Sequence, residues 1–417
     1  MVKTLFKLFT SSYFGAALIF YSQLLSANYF SLEVYGRFIS SFTLISLLVP
    51  FVGLGLDTYL YKYVSEGKKL TSLFGALTSY SILTLLMACL AYIFFVKENI
   101  AILMLTLLIS QFLLSFTLVI LQISREYNKY SALSMLQGLT RVLMILLFVN
   151  LLGWDDLEGL VKIYSLSACL IIIVCSIIIR KKIVKLEKSN MSFDLMFLVK
   201  MAAPYGVGTV AFLFYSQSVI YILSVLGESE FSAIYAVSYV FLNIAFMIPT
   251  IVYQKFLIPK LHILMNEGRD LSSLYSSGNV VMLILGLVFS FSMYLFSGVI
   301  IGLFFNEEYY QSVEILEFLS VIILFRFFSA NSAAYLVTKN YMSLKNKLMI
   351  VVATINLLLA FILIPVYGLY GAVVTTIISE FVIAILYVLY AKRIIFNQLD
   401  FKEMFKFDLV GIKISKV

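Results

Sequence analysis

The sequence of 417 residues holds one His, three Cys, one Trp and five Pro, and only 12 % of it is charged. Each scarcity removes a class of chemistry. The lone His262 sits in a basic stretch, which leaves a zinc site or a histidine base almost nothing to work with. Cys89, Cys169 and Cys175 all fall in apolar segments, where a thiol behaves as a small hydrophobe rather than as a disulfide partner or metal ligand. A soluble domain carries about 25 % charged and about 45–50 % apolar residues. Here the apolar share is 62 % and the mean hydropathy +1.03. No water-soluble core hides that much apolar surface, so the expected fold class is an all-α integral membrane protein.

What the chain does have is apolar length. A bilayer core about 30 Å thick is crossed by about 20 apolar residues in a helix. Such segments run over 11–32, 39–61, 72–96, 100–124, 131–152, 160–179, 203–226, 233–254, 279–304, 315–337, 348–366 and 370–391. They predict about twelve transmembrane helices. Lys3 and Lys7 precede the first run as in a secretory signal, but the run is too long for one and is read as a retained helix.

Lys and Arg orient the chain, because cytoplasmic loops are enriched in them. With the N-terminus inside, only Arg37, Lys97 and Lys162 fall outside, whereas Lys62, Lys68, Lys69, Arg180–Lys182, Lys392 and Arg393 are among the many inside. Acidic residues such as Asp155, Asp156, Glu307 and Glu308 gather on the outer side. The net charge of +8 therefore reports membrane orientation, with both termini cytoplasmic, rather than binding to nucleic acid. The basic tail after Lys392 is expected either on the anionic inner leaflet or in solvent.

Two short stretches recur in order. Phe20-Tyr21-Ser22-Gln23 returns as Phe214-Tyr215-Ser216-Gln217, and Glu66-Gly67-Lys68-Lys69-Leu70-Thr71-Ser72-Leu73 returns as Glu267-Gly268-Arg269-Asp270-Leu271-Ser272-Ser273-Leu274. Each first member lies in a first half and each second member about half the chain later, which predicts two co-oriented, pseudo-symmetric six-helix lobes. The expected organisation is a lobe over 1–180, a cytoplasmic linker over 181–200, a second lobe over 201–391 opened by Pro204, and a basic tail over 392–417. Pro50 and Pro249 fall at matched places in the second helix of each half, as hinges for alternating access or as ordinary packing kinks.

A few charges fall at membrane depth. Arg141, Arg326 and Glu380 lie near the middle of their segments, and Asp57 and Lys62 near the inner end of the second. An Arg or Asp at a helix centre costs about 2.5–3.5 kcal/mol on insertion scales, so these side chains are expected to face the protein interior. They either pair structurally or line a wet cavity, and two mid-depth arginines favour an anionic cargo. Gln23, Gln217, Gln111, Asn243 and Asn356 are expected to face the same interior or to bond between helices.

Three stretches carry a family likeness: Leu32-Glu33-Val34-Tyr35-Gly36-Arg37-Phe38, Gly53-Leu54-Gly55 leading to Tyr61-Lys62-Tyr63-Val64-Ser65, and Ile364-Pro365-Val366-Tyr367-Gly368-Leu369-Tyr370-Gly371-Ala372. With them the chain resembles the Wzx-type O-antigen and polysaccharide flippases, a branch of the MOP superfamily that also holds the MATE exporters and lipid II flippases. The resemblance implies two six-helix lobes around a cavity that opens alternately to each side. It implies as cargo an undecaprenyl-diphosphate-linked oligosaccharide, carried from the cytoplasmic to the periplasmic leaflet of a bacterial inner membrane. A polysaccharide polymerase and a chain-length regulator are the protein partners it suggests. In that reading Arg141, Arg326, Gln23, Gln217 and Lys62 bind cargo, and Asp57 and Glu380 are proton- or sodium-coupling sites or counter-ions. No cofactor is expected beyond such a gradient. The alternatives are a MATE-like multidrug or cation antiporter, disfavoured because 11–32 contains no acidic residue, and a membrane glycan polymerase, disfavoured by short outer loops.

Overall fold

The computed structural model describes residues 2–65, 74–96, 100–183, 195–338 and 341–407. It is helical throughout, with no strand among the described residues. The helices are α1 (Val2–Tyr29), α2 (Leu32–Leu48), α3 (Leu56–Ser65), α4 (Phe74–Phe95), α5 (Ala101–Ile123), α6 (Tyr127–Leu152) and α7 (Leu157–Ile183). They continue as α8 (Leu195–Leu226), α9 (Ser229–Thr250), α10 (Ile258–Asn266), α11 (Ser272–Phe304), α12 (Gln311–Leu319), α13 (Val321–Val337) and α14 (Met342–Ile394). Because α2 continues into α3, α9 into α10 and α12 into α13, while α14 divides at Gly368, these make twelve rods. Eight helical stretches among the described residues, from Leu32–Phe51 to Met342–Ile394, are long and apolar enough to cross a membrane by length and composition.

A helix satisfies its own backbone, which is why only helices serve a chain this apolar in lipid. Their outer faces carry the hydrophobes that a soluble protein would bury: Leu287, Phe291, Leu295 and Leu303 on α11 are all exposed. The inner faces are knitted by hydroxyls that bond back to their own helix or across to a neighbour. Ser238 Oγ donates to the Ser312 carbonyl at 2.9 Å, and the Ser312 hydroxyl donates back to the Ile234 carbonyl at 3.1 Å, joining α9 to α12.

The breaks have local causes. Pro50 sits in a 3-10 turn (Val49–Phe51) that ends α2, and Gly53 and Gly55 follow at φ +74° and +76°, a left-handed conformation that L side chains rarely adopt. The Gly53 amide freed by the break donates to Thr84 Oγ1 of α4 at 3.0 Å, so this donor finds a partner on a neighbouring helix. A side chain on Gly55 would also run into the Ala202 carbonyl and the Gly206 amide of α8, and one on Gly206 would lie 2.5 Å from the Gly55 nitrogen. Two glycines thus let α8 touch the broken rod backbone to backbone. In α9 Pro249 has no N–H to donate, and the chain continues through a π-helical turn (Ile251–Leu257) before α10 starts with Pro259 in its first turn. Gly368, at φ +55°, is the only residue of α14 outside helical geometry and folds the helix into two arms.

The contacts divide the chain into two compact units, Met1–Val210 and Ala211–Val417, with the division inside α8. Both ends of the stretch 181–200 are helical, since α7 reaches Ile183 and α8 starts at Leu195. Pro204 therefore lies within α8 instead of opening it. Leu198 and Ala202, one turn apart, bury against Leu56, Tyr59 and Leu60 of α3, which explains why helix is favoured ahead of the proline. In the repeats, Ser22 Oγ bonds the Ile19 carbonyl (2.7 Å) and Ser216 Oγ the Leu213 carbonyl (3.4 Å), the same local bond in α1 and α8. The stretch Glu267–Leu274 joins α10 to α11, whereas its counterpart 66–73 lies outside the described residues.

Candidate functional site

Each unit carries one buried arginine, and the two are held differently. In the first unit α6 lies directly on α1: a side chain on Gly138 would meet the Leu18 Cβ at 2.6 Å, and one on Gly15 the Ser134 carbonyl at 2.8 Å. Arg141, one turn beyond Gly138, is only 2 % exposed. Its guanidinium carbon lies 5.2 Å from the Phe42 ring of α2 and 5.0 Å from the Tyr164 ring of α7. Tyr164 is fixed in turn by a hydroxyl bond of 3.0 Å with Ser26 of α1. Arg141 Nε has no hydrogen-bond partner among the described residues, and no described carboxylate pairs with the side chain. The ring faces offset part of the desolvation of the cation, but they leave its full charge in place.

In the second unit Arg326 of α13 is neutralised. Its Nη2 donates to Glu380 Oε1 of α14 at 2.5 Å and its Nη1 to the Tyr215 hydroxyl of α8 at 2.8 Å. Phe246 of α9, Phe212 and Tyr215 cover the guanidinium at 4.7, 5.2 and 5.6 Å. Glu380 is 1 % exposed, Arg326 15 %. Arg326 Nε and Glu380 Oε2 lack hydrogen-bond partners among the described residues, so neither side of the pair is fully satisfied by the other. A buried pair of this kind gains little net stability, yet losing one partner strands a charge in a dry site.

The remaining candidate residues scatter. Gln23 and Gln217 are half-buried on α1 and α8, and Gln111 is half-buried on α5. Asn356 is fully buried and bridges helices, accepting from Ser218 Oγ at 3.3 Å and donating to Ser379 Oγ at 2.9 Å. Asn243, expected to face inward, is exposed on α9. Asp57 and Lys62 lie on α3, but their side chains lie outside the described residues. The aromatic partners Phe42, Tyr164, Phe212, Tyr215 and Phe246 carry no mark in a sequence this rich in Phe and Tyr. Only Tyr215 had a signal, its place in the repeat, and its counterpart Tyr21 is exposed.

Residues 1–265 match the family described as "Polysaccharide biosynthesis protein". No protein of curated function matches the sequence. Among solved structures, the lipid II flippase MurJ in an inward closed conformation aligns with a TM-score of 0.72 at 14 % identity, covering 100 % of this chain and 92 % of that one. A multidrug resistance MATE family transporter of the MOP superfamily in an outward-facing conformation aligns at 0.63 and 16 % identity, covering 94 % and 95 %. A MOP superfamily transporter from Pyrococcus furiosus, described as having a binding pocket of reverse polarity, aligns at 0.58 and 16 % identity, again covering 94 % and 95 %. Sequence and fold agree: the chain belongs to the polysaccharide biosynthesis protein family and has the all-helical fold of the MOP superfamily.

Proposed function

We propose that this protein is a transporter, a flippase that carries undecaprenyl-diphosphate-linked oligosaccharide from the cytoplasmic to the periplasmic leaflet of a bacterial inner membrane by alternating access. The observation that carries the reading is Arg141, a buried cation with two aromatic faces and no counter-ion among the described residues. Insertion of such a charge costs about 2.5–3.5 kcal/mol, a cost that an anionic ligand would offset by supplying the missing partner. A diphosphate suits a guanidinium fork, and a glycan suits the half-buried Gln23 and Gln217. Lys62 and Arg326 complete the proposed cargo-binding set, with Arg326 available in full only when Glu380 lets go of it.

Glu380 and Asp57 are the groups on which a proton or sodium gradient would act, and Pro50 and Pro249 are the hinges. Both prolines stand at breaks in the second rod of their unit, one before Gly53 and Gly55 and the other before the π-helical turn. Broken rods bend at lower cost than continuous ones. The termini face the cytoplasm in this reading, and the polymerase and chain-length regulator of the same glycan are its protein partners. A MATE-like antiporter of organic cations is less well supported, because the one described buried carboxylate at membrane depth, Glu380, is already held by Arg326.

The test is where lipid-linked units accumulate. In a clean deletion without a paralogue, the units should stay on the cytoplasmic face, shielded in spheroplasts from an added lectin or glycosidase. Normal arrival of the units outside would overturn the assignment.

A further inference from the structure

Past the last rod the chain turns back and docks on its own unit. Phe396, buried, stacks on Tyr275 of α11 at 4.1 Å and 11° and meets Tyr335 of α13 at 5.1 Å. Met404 is fully buried, and its carbonyl accepts from Asn279 Nδ2 of α11 at 3.2 Å. Phe405 stacks on Phe328 of α13 at 5.9 Å. Asn279 belongs to a buried relay: Asn331 Nδ2 donates to Asn279 Oδ1 at 2.7 Å, and the Tyr253 hydroxyl of the π-helical turn donates to Asn331 Oδ1 at 3.0 Å. Residues 396–407 are therefore a strap fastened to α11 and α13 and joined by three side chains to the bend after Pro249.

The strap's outer side is unlike a solvated tail. Phe401, Phe405 and Phe407 are 54 %, 42 % and 50 % exposed, interleaved with exposed Lys402 and Lys406. Lys392 reaches over the Phe401 ring at 4.0 Å, and Arg393 is exposed beside it. The two acidic residues here, Asp400 and Glu403, are also exposed, and the Glu403 carboxylate accepts the Asp400 amide at 2.9 Å, so four cations, Lys392, Arg393, Lys402 and Lys406, face two carboxylates. Aromatic rings alternating with cations, directly at the end of a membrane rod, match the chemistry of a headgroup layer: rings at the acyl boundary, ammonium groups at the phosphates.

We propose that residues 396–407 bind anionic phospholipid headgroups and serve as a lipid-anchored strap, holding through Asn279 and Asn331 the π-helical bend of the second unit. The occupant is the lipid surface on whichever side this end of α14 lies, so the inference stands apart from the transport reading and from the orientation of the termini.

Trypsin cleavage after Lys402 and Lys406 tests it in the full-length protein in nanodiscs, with one set pure phosphatidylcholine and the other one quarter phosphatidylglycerol. Cleavage after Arg269, in the exposed connection ahead of α11, is the internal reference for protease behaviour on charged discs. Relative to that reference, strap cleavage should slow roughly tenfold in the anionic discs, because the charged surface holds the two lysines only while the rings seat the strap at the acyl boundary. A variant with Phe401→Ser, Phe407→Ser, Lys402→Arg and Lys406→Arg keeps the cleavage sites and charge, and should lose most of the slowing. Asn279→Ala should raise strap cleavage in both lipids. Equal relative cleavage of the wild type in the two compositions would overturn the proposal, as would full slowing in the serine variant.

Discussion

Arg326 Nη2 and Glu380 Oε1 lie 2.5 Å apart between α13 and α14, making a charge-neutral unit inside an aromatic cage in the second half of the chain. Removing either charge alone strands the other where nothing described replaces it. Arg326→Ala or Glu380→Ala should each cost about 3–5 kcal/mol of stability. The double replacement Arg326→Met with Glu380→Leu should recover most of the loss. Thermal unfolding of the four proteins in one detergent checks the cycle; an additive double mutant would show that the pair is not a unit.

Arg141 predicts the opposite pattern. Its charge has no described counter-ion to strand, so Arg141→Met should leave the melting temperature near the wild-type value while abolishing glycan export. Arg141→Lys should keep part of the export, since a point charge replaces the guanidinium fork. Complementation of a deletion strain, read beside the melting temperature of each variant, separates the two effects. Full export by Arg141→Ala would remove this residue from the mechanism.

Glu126, in the turn between α5 and α6, accepts from Lys129 at 2.7 Å and pairs with Lys182 near the end of α7. Hydrogen bonds from those two ammonium groups lower its carboxyl to about 2. A depressed folded-state pKa adds stability above the ordinary carboxyl range and forfeits it as pH falls toward about 2. The group is 28 % exposed and screened, so the effect is small. The melting temperature of the wild type should exceed that of Glu126→Gln at neutral pH, with the gap closing between about pH 4.5 and 2. A gap that widens on acidification would refute this linkage.

Gly55→Ala combines a left-handed backbone with a clash against the Ala202 carbonyl, so it should destabilise more than Gly206→Ala, whose backbone is helical. An overpacked contact costs about 1–3 kcal/mol, and left-handed strain adds to it. Yields of folded, detergent-solubilised protein should fall in the order wild type, Gly206→Ala, Gly55→Ala. Gly153→Ala is the control, because open space surrounds that position although it too has positive φ.

The sequence by itself determined the class and the count: apolar length and scarce charge leave helices as the only way to satisfy the backbone in lipid, and twelve apolar segments become twelve rods. It also marked a break in the second rod of each half, because Pro50 and Pro249 each remove a backbone donor, and Gly53 and Gly55 follow the first of them. It could not separate Arg141 from Arg326, since both are lone cations in apolar runs with the same insertion cost. Which of them meets a carboxylate depends on how helices far apart in sequence turn their faces toward each other. Tertiary packing brings Glu380 to Arg326, whereas among the described residues Arg141 meets the rings of Phe42 and Tyr164 and no carboxylate. The docking of Met404 on Asn279 was hidden for the same reason, because 125 residues separate the two groups.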